Sequence, residues 1–255
     1  MNIESISSKN LSKELAYLLG VYLTDGSITH PSDKWATYSS FSLKTIDREF
    51  AEFSLECFKK IKPDCKANVF IQQPITRYWN DGRVSKTQIQ YCIGIGITHT
   101  QIDIFFETQT NKKHHIPFVI WDAPLVIKKW FIAGVMDGNG WISKTERKQY
   151  PNPGIFQYRI GICGISEGWI YEFEKLLQQM GVKTCKIMID KKLPRNIPIA
   201  SFSIKTESFI SHGLFFTIQR KQKRIKEYIL KNVQRLNAAN PTGLRNSPIS
   251  YENMS

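Results

Sequence analysis

Two stretches of the chain share the same order of hydrophobic and polar positions. Residues 15–26 read LAYLLGVYLTDG, and residues 130–140 read WFIAGVMDGNG. Each stretch predicts an apolar helix with a small residue near its middle, Gly20 in the first and Gly134 in the second. Glycine has no side chain, so we expect these two positions to let the two helices pack closely.

Each predicted helix stops at a polar residue followed by glycine, Asp25-Gly26 in the first and Asn139-Gly140 in the second. We expect each glycine to take the left-handed conformation that often closes a helix. A carboxylate at this end of a helix faces the negative pole of the helix dipole. Asp25 therefore predicts a compensating cation close by.

An internal repeat extends well beyond these two helices. Other matched residues lie 120 apart, whereas the two helix ends lie 114 apart. The matched pairs are Asp25 and Asn139, Phe53 and Phe173, and Cys65 and Cys185. A longer hairpin in the second half, around residues 144–154, absorbs the difference of six residues.

Each half is predicted to be an αββαββα unit, so the fold class is α+β with tandem duplicated halves. The predicted first half is 1–110, the linker 111–126, the second half 127–235 and the tail 236–255. After the first apolar helix we expect a helix at 47–61, strands at 66–73 and 86–97, and a closing helix at 100–110. The corresponding second-half segments are 167–180, 184–190, 199–205 and 207–219.

The strands alternate between apolar and polar residues with a period of two, which predicts antiparallel sheets with one buried face. In the strand at 40–44, Phe41 and Leu43 oppose two serines and a lysine. The predicted apolar set at 89–97 is Ile89, Tyr91, Ile93, Ile95 and Ile97, and the set at 67–71 is Ala67, Val69 and Ile71. The opposite face is rich in Gln, Asn, Ser, Lys and Arg and almost free of acids.

Composition and charge identify what this polar face could bind. The 255 residues contain 35 Lys and Arg against 22 Asp and Glu, giving a net charge of +13. A folded protein this basic is expected to bind a polyanion, and we favour nucleic acid because no apolar run approaches the roughly 20 residues that span a bilayer. The N-terminus lacks a signal-peptide core, and the five cysteines form no paired motif, so we expect an intracellular, reducing compartment.

Arg and Lys side chains suit phosphates and guanine, and Gln and Asn side chains suit adenine, so the polar face predicts readout of double-stranded DNA in the major groove. A plain solvated face is the alternative. The predicted DNA contacts in the first half are Ser40, Ser42, Lys66, Asn68, Gln72, Arg77, Arg83, Lys86, Gln88 and Gln90. Those in the second half are Lys144, Gln157, Arg159, Lys186, Lys191, Lys192, Arg195, Ser201 and Ser203.

The paired helices resemble the motif of the LAGLIDADG homing endonucleases. Residues 18–26 fill all nine motif positions in the first copy, and residues 132–140 fill them in the second. The resemblance implies a monomer with a pseudo-twofold axis and two DNA-binding antiparallel sheets. It also implies cleavage of both strands of a long asymmetric target across the minor groove, the reaction used in intron homing.

The resemblance also implies a site. The eighth motif position is the metal-binding acid of the family, here Asp25 and Asn139, with Thr24 and Gly138 as further metal contacts. The implied ion is Mg²⁺, for which Mn²⁺ or Ca²⁺ can substitute. The family places a lysine near the scissile phosphates, for which Lys205 is the first candidate and Lys44 the second.

Asn139 departs from the family pattern because an amide keeps the shape of aspartate but loses its charge. Asp137, two residues earlier, would point about 200 degrees around the helix and is not expected to substitute. Three readings stay open: a variant inactivated to trap uncut DNA, an enzyme that nicks one strand, or a member that no longer cleaves. The non-cleaving alternative is an intron maturase with an RNA partner, or a DNA-binding regulator.

Overall fold

The computed structural model describes residues 6–30, 39–79, 82, 84–97, 101–146, 156–164, 167–190 and 198–239. The elements up to residue 110 are α1 (Lys13–Thr24), β1 (Gly26–Thr29), β2 (Ser40–Thr45), α2 (Arg48–Ile61), β3 (Phe70–Gln72), β4 (Thr76–Tyr78), β5 (Val84–Lys86), β6 (Gln90–Gly96) and α3 (Ile102–Thr110). The later elements are α4 (Phe118–Trp121), α5 (Leu125–Gly138), β7 (Gly140–Glu146), β8 (Phe156–Gly164), α6 (Glu167–Gln179), β9 (Met188–Asp190), β10 (Ile199–Ile204), α7 (Thr206–Ser211) and α8 (Gln219–Ala239).

Two four-stranded antiparallel sheets have the same strand order. The first is β1-β2-β6-β3 and the second is β7-β8-β10-β9. The α+β class is therefore confirmed, and the repeat seen in the sequence corresponds to two sheets of one topology. A separate two-stranded hairpin, β4-β5, stands between β3 and β6 and was not predicted.

The helices α1 and α5 pack against each other, and residues 15–23 of α1 and 131–137 of α5 are buried. A methyl group added to Gly20 would lie 2.8 Å from the main-chain nitrogen of Val135 and closer still to the carbonyl oxygen of Phe131. A methyl group added to Gly134 would meet the carbonyl of Tyr17. The predicted close approach at the two glycines is confirmed, and it brings the ends of the helices together.

The predicted left-handed glycines are wrong. Gly26 and Gly140 do not have positive φ angles, and each begins a strand directly after its helix. A side chain at Gly26 would lie 2.8 Å from the Phe41 ring, and one at Gly140 would lie 2.7 Å from the Cα of Met136. Both positions need glycine because of crowding, not because of backbone conformation.

Other boundaries also differ from the sequence expectations. The predicted helix 207–219 is two elements, since α7 ends at Ser211, Gly213 has a φ of 62°, and α8 starts at Gln219. The strands β3 and β9 are shorter than predicted, and Ile71 in the edge strand β3 is exposed. Ile89, predicted to be buried in a strand, is exposed because it lies just before β6, which begins at Gln90.

The alternation in the longer strands is confirmed. Phe41 and Leu43 in β2, and Phe202 and Ile204 in β10, are buried on one side of their sheets. We call the opposite side of each sheet its polar face. No helix among the described residues is long and apolar enough to cross a membrane.

Candidate active site and nucleic-acid interface

The ends of α1 and α5 have nearly the same backbone geometry. Asp25 follows α1 with φ −99° and ψ −18°, and Asn139 follows α5 with φ −98° and ψ −4°. The N–H of each donates to the carbonyl four residues earlier at 3.0 Å. A methyl group added to Gly138 would lie 3.5 Å from a carboxylate oxygen of Asp25, so the two helix ends meet beside this carboxylate.

Two lysines that the sequence reasoning missed cap these helix ends. The Nζ of Lys221, which is 4% exposed, donates to the carbonyls of Met136, Asp137 and Gly140 at 3.0, 2.8 and 2.7 Å. The Nζ of Lys113 donates to the carbonyl of Thr24 at 3.3 Å and makes a short bond to that of Gly26. Each lysine therefore neutralises the negative end of one motif helix.

The electrostatics of Asp25 follow from this arrangement. The residue reaches the surface, yet its carboxyl group is crowded by the two helix ends, and the loss of hydration raises its pKa. The charges of Lys113 and Lys221 lower this pKa, and that of Asp47 raises it. The cation predicted from the helix dipole therefore exists, but it is supplied by two lysines from distant parts of the chain.

The internal repeat does not match Lys113 with Lys221, because these lysines are 108 residues apart whereas the motif ends they cap are 114 apart. Both lie in short basic runs after the second strand pair of a half, 112–113 and 220–221. Those runs were the available signal. Nothing local in them indicates that one lysine of each run turns inward to meet a helix end.

The predicted lysines Lys44 and Lys205 lie elsewhere. Lys44 is exposed on the polar face of β2, one residue beyond Leu43, which pairs with Gly26. Lys205 is exposed at the start of α7, just past Ile204. Their roles near a scissile phosphate stay predictions.

Asp137 does point away from the helix ends. It is 2% exposed and accepts bonds from the Tyr17 hydroxyl at 3.0 Å, the Thr217 hydroxyl at 2.5 Å and the Thr217 N–H at 3.1 Å. Burial raises its pKa to about 6, against the lowering effects of these bonds and of Lys221. Asp137 therefore links α1 and α5 to the segment before α8.

The start of α8 also reaches the first half. Arg220 makes two bonds of 2.6 Å to the carboxylate of Asp47, which precedes α2. The N–H of Gln219 donates to Glu49 at 2.6 Å. One helix thus joins α2, through Arg220, to the end of α5, through Lys221.

The predicted DNA contacts lie partly on the polar faces and partly in neighbouring segments. In the described part of the chain these side chains are exposed or half-buried, and none of them is fully buried. They are Ser40, Ser42, Lys66, Asn68, Gln72, Arg77, Lys86, Gln88 and Gln90 in the first half, and Gln157, Arg159, Lys186, Ser201 and Ser203 in the second. Arg77 and Lys86 belong to the β4-β5 hairpin, and Gln88 precedes β6.

One predicted contact is on the wrong side of its sheet. Lys144 lies in β7 opposite Tyr158, on the side that packs against α8, and its Nζ is 2.9 Å from a carboxylate oxygen of Glu227. It also lies over the Phe156 ring at 4.8 Å. The sequence placed this residue in a loop, whereas the strand extends to Glu146. Four other candidates, Arg83, Lys191, Lys192 and Arg195, lie outside the described residues.

Three solved homing endonucleases are similar to this chain. I-WcaI, bound to its DNA recognition sequence, aligns with a TM-score of 0.50 and 14% identity over 86% of this chain and 88% of that one. I-GzeII, a LAGLIDADG enzyme in complex with its DNA target, has a TM-score of 0.49 and 11% identity over 91% and 94%. I-DmoI has a TM-score of 0.49 and 14% identity over 78% and 92%.

The chain has the LAGLIDADG homing endonuclease fold. No protein-family model matches the sequence, and no curated protein matches it. At these identities the similarity establishes the fold alone.

In the homing endonuclease fold the ends of the paired helices are where a divalent metal is implied, so the donors there must suit one. The predicted donors are the Asp25 carboxylate, the Asn139 amide, Thr24 and the main-chain oxygen of Gly138. All are oxygens, and Mg²⁺ is commonly held by one or two carboxylates with phosphate and water. The described residues contain no cluster of three or more His, Cys, Asp or Glu side chains for a metal. The donor set therefore fits Mg²⁺ bound together with a nucleic-acid phosphate.

Proposed function

We propose that this protein is a site-specific DNA endonuclease that binds a long asymmetric duplex and hydrolyses its backbone with a divalent metal ion. The observation that carries the proposal is the meeting of two capped helix ends, with the Asp25 carboxylate beside Gly138, each followed directly by the first strand of a sheet with a polar face. The solved relative I-WcaI holds its recognition sequence, and we extend that partner to this chain.

The chain's own residues have distinct roles in this proposal. Asp25, with Thr24 and Gly138, would hold Mg²⁺, which when bound would activate water and stabilise charge on the phosphate. Lys113 and Lys221 hold the helix ends, and their charges oppose the rise in the pKa of Asp25 that burial causes. Lys44 and Lys205 are additional candidates for contact with the DNA backbone.

The DNA lies across the polar faces of both sheets. Because one polypeptide supplies both sheets, a monomer suffices, and its two halves, 1–110 and 127–235, read different half-sites. Basic side chains contact phosphates and give affinity that falls with salt, while Gln, Asn, Ser and Arg side chains on the strands read base edges.

Asn139 limits the reaction. A neutral amide is a weak ligand for a hard divalent ion, so the second helix end binds metal poorly. We therefore expect the chain to cut one strand and to leave a nick. Asn139→Asp restores the missing charge with almost no change in shape.

The test uses a supercoiled plasmid that carries a target selected by the protein itself, incubated with Mg²⁺. We expect open circles from the chain as it stands, linear DNA from Asn139→Asp, and neither from Asp25→Asn. EDTA should abolish all cleavage. If Asn139→Asp binds the target tightly and leaves the plasmid supercoiled, the nuclease proposal is wrong.

The second candidate is a non-cleaving binder, an intron maturase or a DNA-binding regulator on the same fold. It is favoured by the second helix end, where Asn139 has no carboxylate although Lys221 donates to the carbonyls on both sides of it. Tight binding of duplex DNA, or of an intron RNA, without cleavage by Asn139→Asp would support it.

A further inference from the structure

Two large apolar side chains stand on the polar faces. Phe70 in β3 is 54% exposed and pairs with Cys92, and Met188 in β9 is 66% exposed and pairs with Ser201. Directly paired residues point to the same side of a sheet, and Ser201 lies opposite the buried Phe202. Phe70 and Met188 therefore project from the polar side, where the described DNA-contact candidates are hydrophilic and the half-buried Trp141 lies over Gly161.

The two residues occupy equivalent places in the two sheets. Cys92 pairs with Lys44, which follows the residue paired with Gly26, and Ser201 pairs with Cys163, whose N–H bonds to Asn139. The paired rows are Lys44, Cys92 and Phe70 in one half, and Cys163, Ser201 and Met188 in the other. Each row lies one residue from the first pair of its ladder, Gly26 with Leu43 or Gly140 with Ile162, and the motif ends Asp25 and Asn139 directly precede these glycines. Each apolar side chain is at the outer edge of its sheet, in the row next to a motif end.

This equivalence is independent of the sequence repeat. Phe70 and Met188 are 118 residues apart, whereas the matched cysteines nearby, Cys65 and Cys185, are 120 apart. In the second half the ladder shifts by one residue, because Thr184 bridges Ile204 while Met188 pairs with Ser201. Phe70 and Met188 therefore lie in equivalent rows although the sequence repeat does not match them.

The surroundings of these residues identify the partner as nucleic acid and not as an apolar protein surface. Lys66 and Lys186 are exposed in the same chain segments, and Gln72 and Gln90 share the polar face with Phe70. An apolar protein surface would remove water from these polar groups without offering them hydrogen bonds. The major groove satisfies them and also displays one apolar group, the 5-methyl of thymine.

We propose that Phe70 and Met188 are specificity-determining residues that each contact a thymine methyl group, one in each half of the target. This inference rests on the proposed DNA binding. Because the two rows are equivalent, the two contacts lie at equal distances on either side of the centre of the target. They add one apolar contact to each half-site beside the polar side chains of the same face.

Deoxyuridine tests this contact because it differs from thymidine only by the methyl group. The protein first selects duplexes from a random pool, and the selected target is then made with deoxyuridine at each thymine in turn. Burying one methyl group corresponds to roughly fourfold in affinity. We expect one position in each half-site at which deoxyuridine weakens binding by about that factor, placed symmetrically about the centre.

Single variants assign the positions. Phe70→Ser should abolish the deoxyuridine effect in one half-site only, and Met188→Ser should abolish it in the other only. Phe118→Ser is the matched control, since Phe118 is 59% exposed but belongs to α4, outside both sheets. This variant should keep both effects.

The outcomes distinguish a failure of the methyl contacts from a failure of the proposed DNA binding. If the protein selects no duplex, the proposed DNA binding fails. If it selects a target that binds equally well with deoxyuridine throughout, DNA binding stands and the methyl contacts are refuted. Methyl effects that persist in both serine variants also refute the assignment.

Discussion

Replacing Gly20 with alanine tests whether the contact between α1 and α5 fixes the candidate site. The new methyl group would lie 2.8 Å from the main-chain nitrogen of Val135, where ordinary contact begins at 3.4 Å. The helices would therefore have to separate by at least 0.6 Å. Because the atoms it meets are backbone, we assign an overpacking cost of about 3 kcal/mol. Alanine recovers about 1 kcal/mol of helix propensity, leaving a net loss of about 2 kcal/mol.

Thermal and urea unfolding measure this loss. For a chain of this size, 2 kcal/mol corresponds to a fall in Tm of roughly 4–8 °C. The control is Gly94→Ala, because a methyl group there meets no atom within 4 Å. The control should be neutral or stabilised by up to about 1 kcal/mol. If Gly20→Ala is as stable as the unmodified protein, the close contact does not constrain the helix ends.

Three further predictions concern charged side chains. Burial lowers the pKa of Lys221 from 10.5 to about 8, so the unfolded chain holds this proton more tightly than the folded chain does. The free energy of unfolding should therefore rise by up to about 3 kcal/mol between these two pH values. Urea titrations of Lys221→Met should lack this rise. A double-mutant cycle on Asp47 and Arg220 should give a coupling of about 1 kcal/mol, and zero coupling would mean that the pair does not hold α8. In DNA titrations at fixed salt, Arg159→Ala should lose roughly tenfold in affinity and Lys144→Ala less than about twofold; equal losses would place Lys144 at the interface after all.

The parts of the fold that follow from local pattern could be predicted. Strands such as β2 and β10 alternate strictly, so their buried and polar faces follow from a period of two. The paired glycines predicted the contact between α1 and α5 because few other arrangements need a small residue in the middle of an apolar helix. The β4-β5 hairpin was missed, since its short strands are exposed on both sides and show no alternation.

The candidate site was only partly predictable for a different reason. The helix dipole predicted a cation beside Asp25, but nothing in the sequence indicated which lysine supplies it. Lys113 and Lys221 reach the helix ends from positions about 90 residues away in sequence, and a capping contact across such a distance has no periodicity. Lys144 was misplaced because β7 continues to Glu146, so this residue lies in a strand and not in a loop.

The helix α8 has a consequence for how the protein matures. Its contacts with Asp47 and with the carbonyl of Met136 close loops of 173 and about 85 residues, so they form only after α8 has been synthesised. Until then the end of α5 lacks its ammonium cap and the two halves lack the Arg220 link. A nascent chain therefore contains both motif helices before the helix that joins them to α2 has emerged from the ribosome.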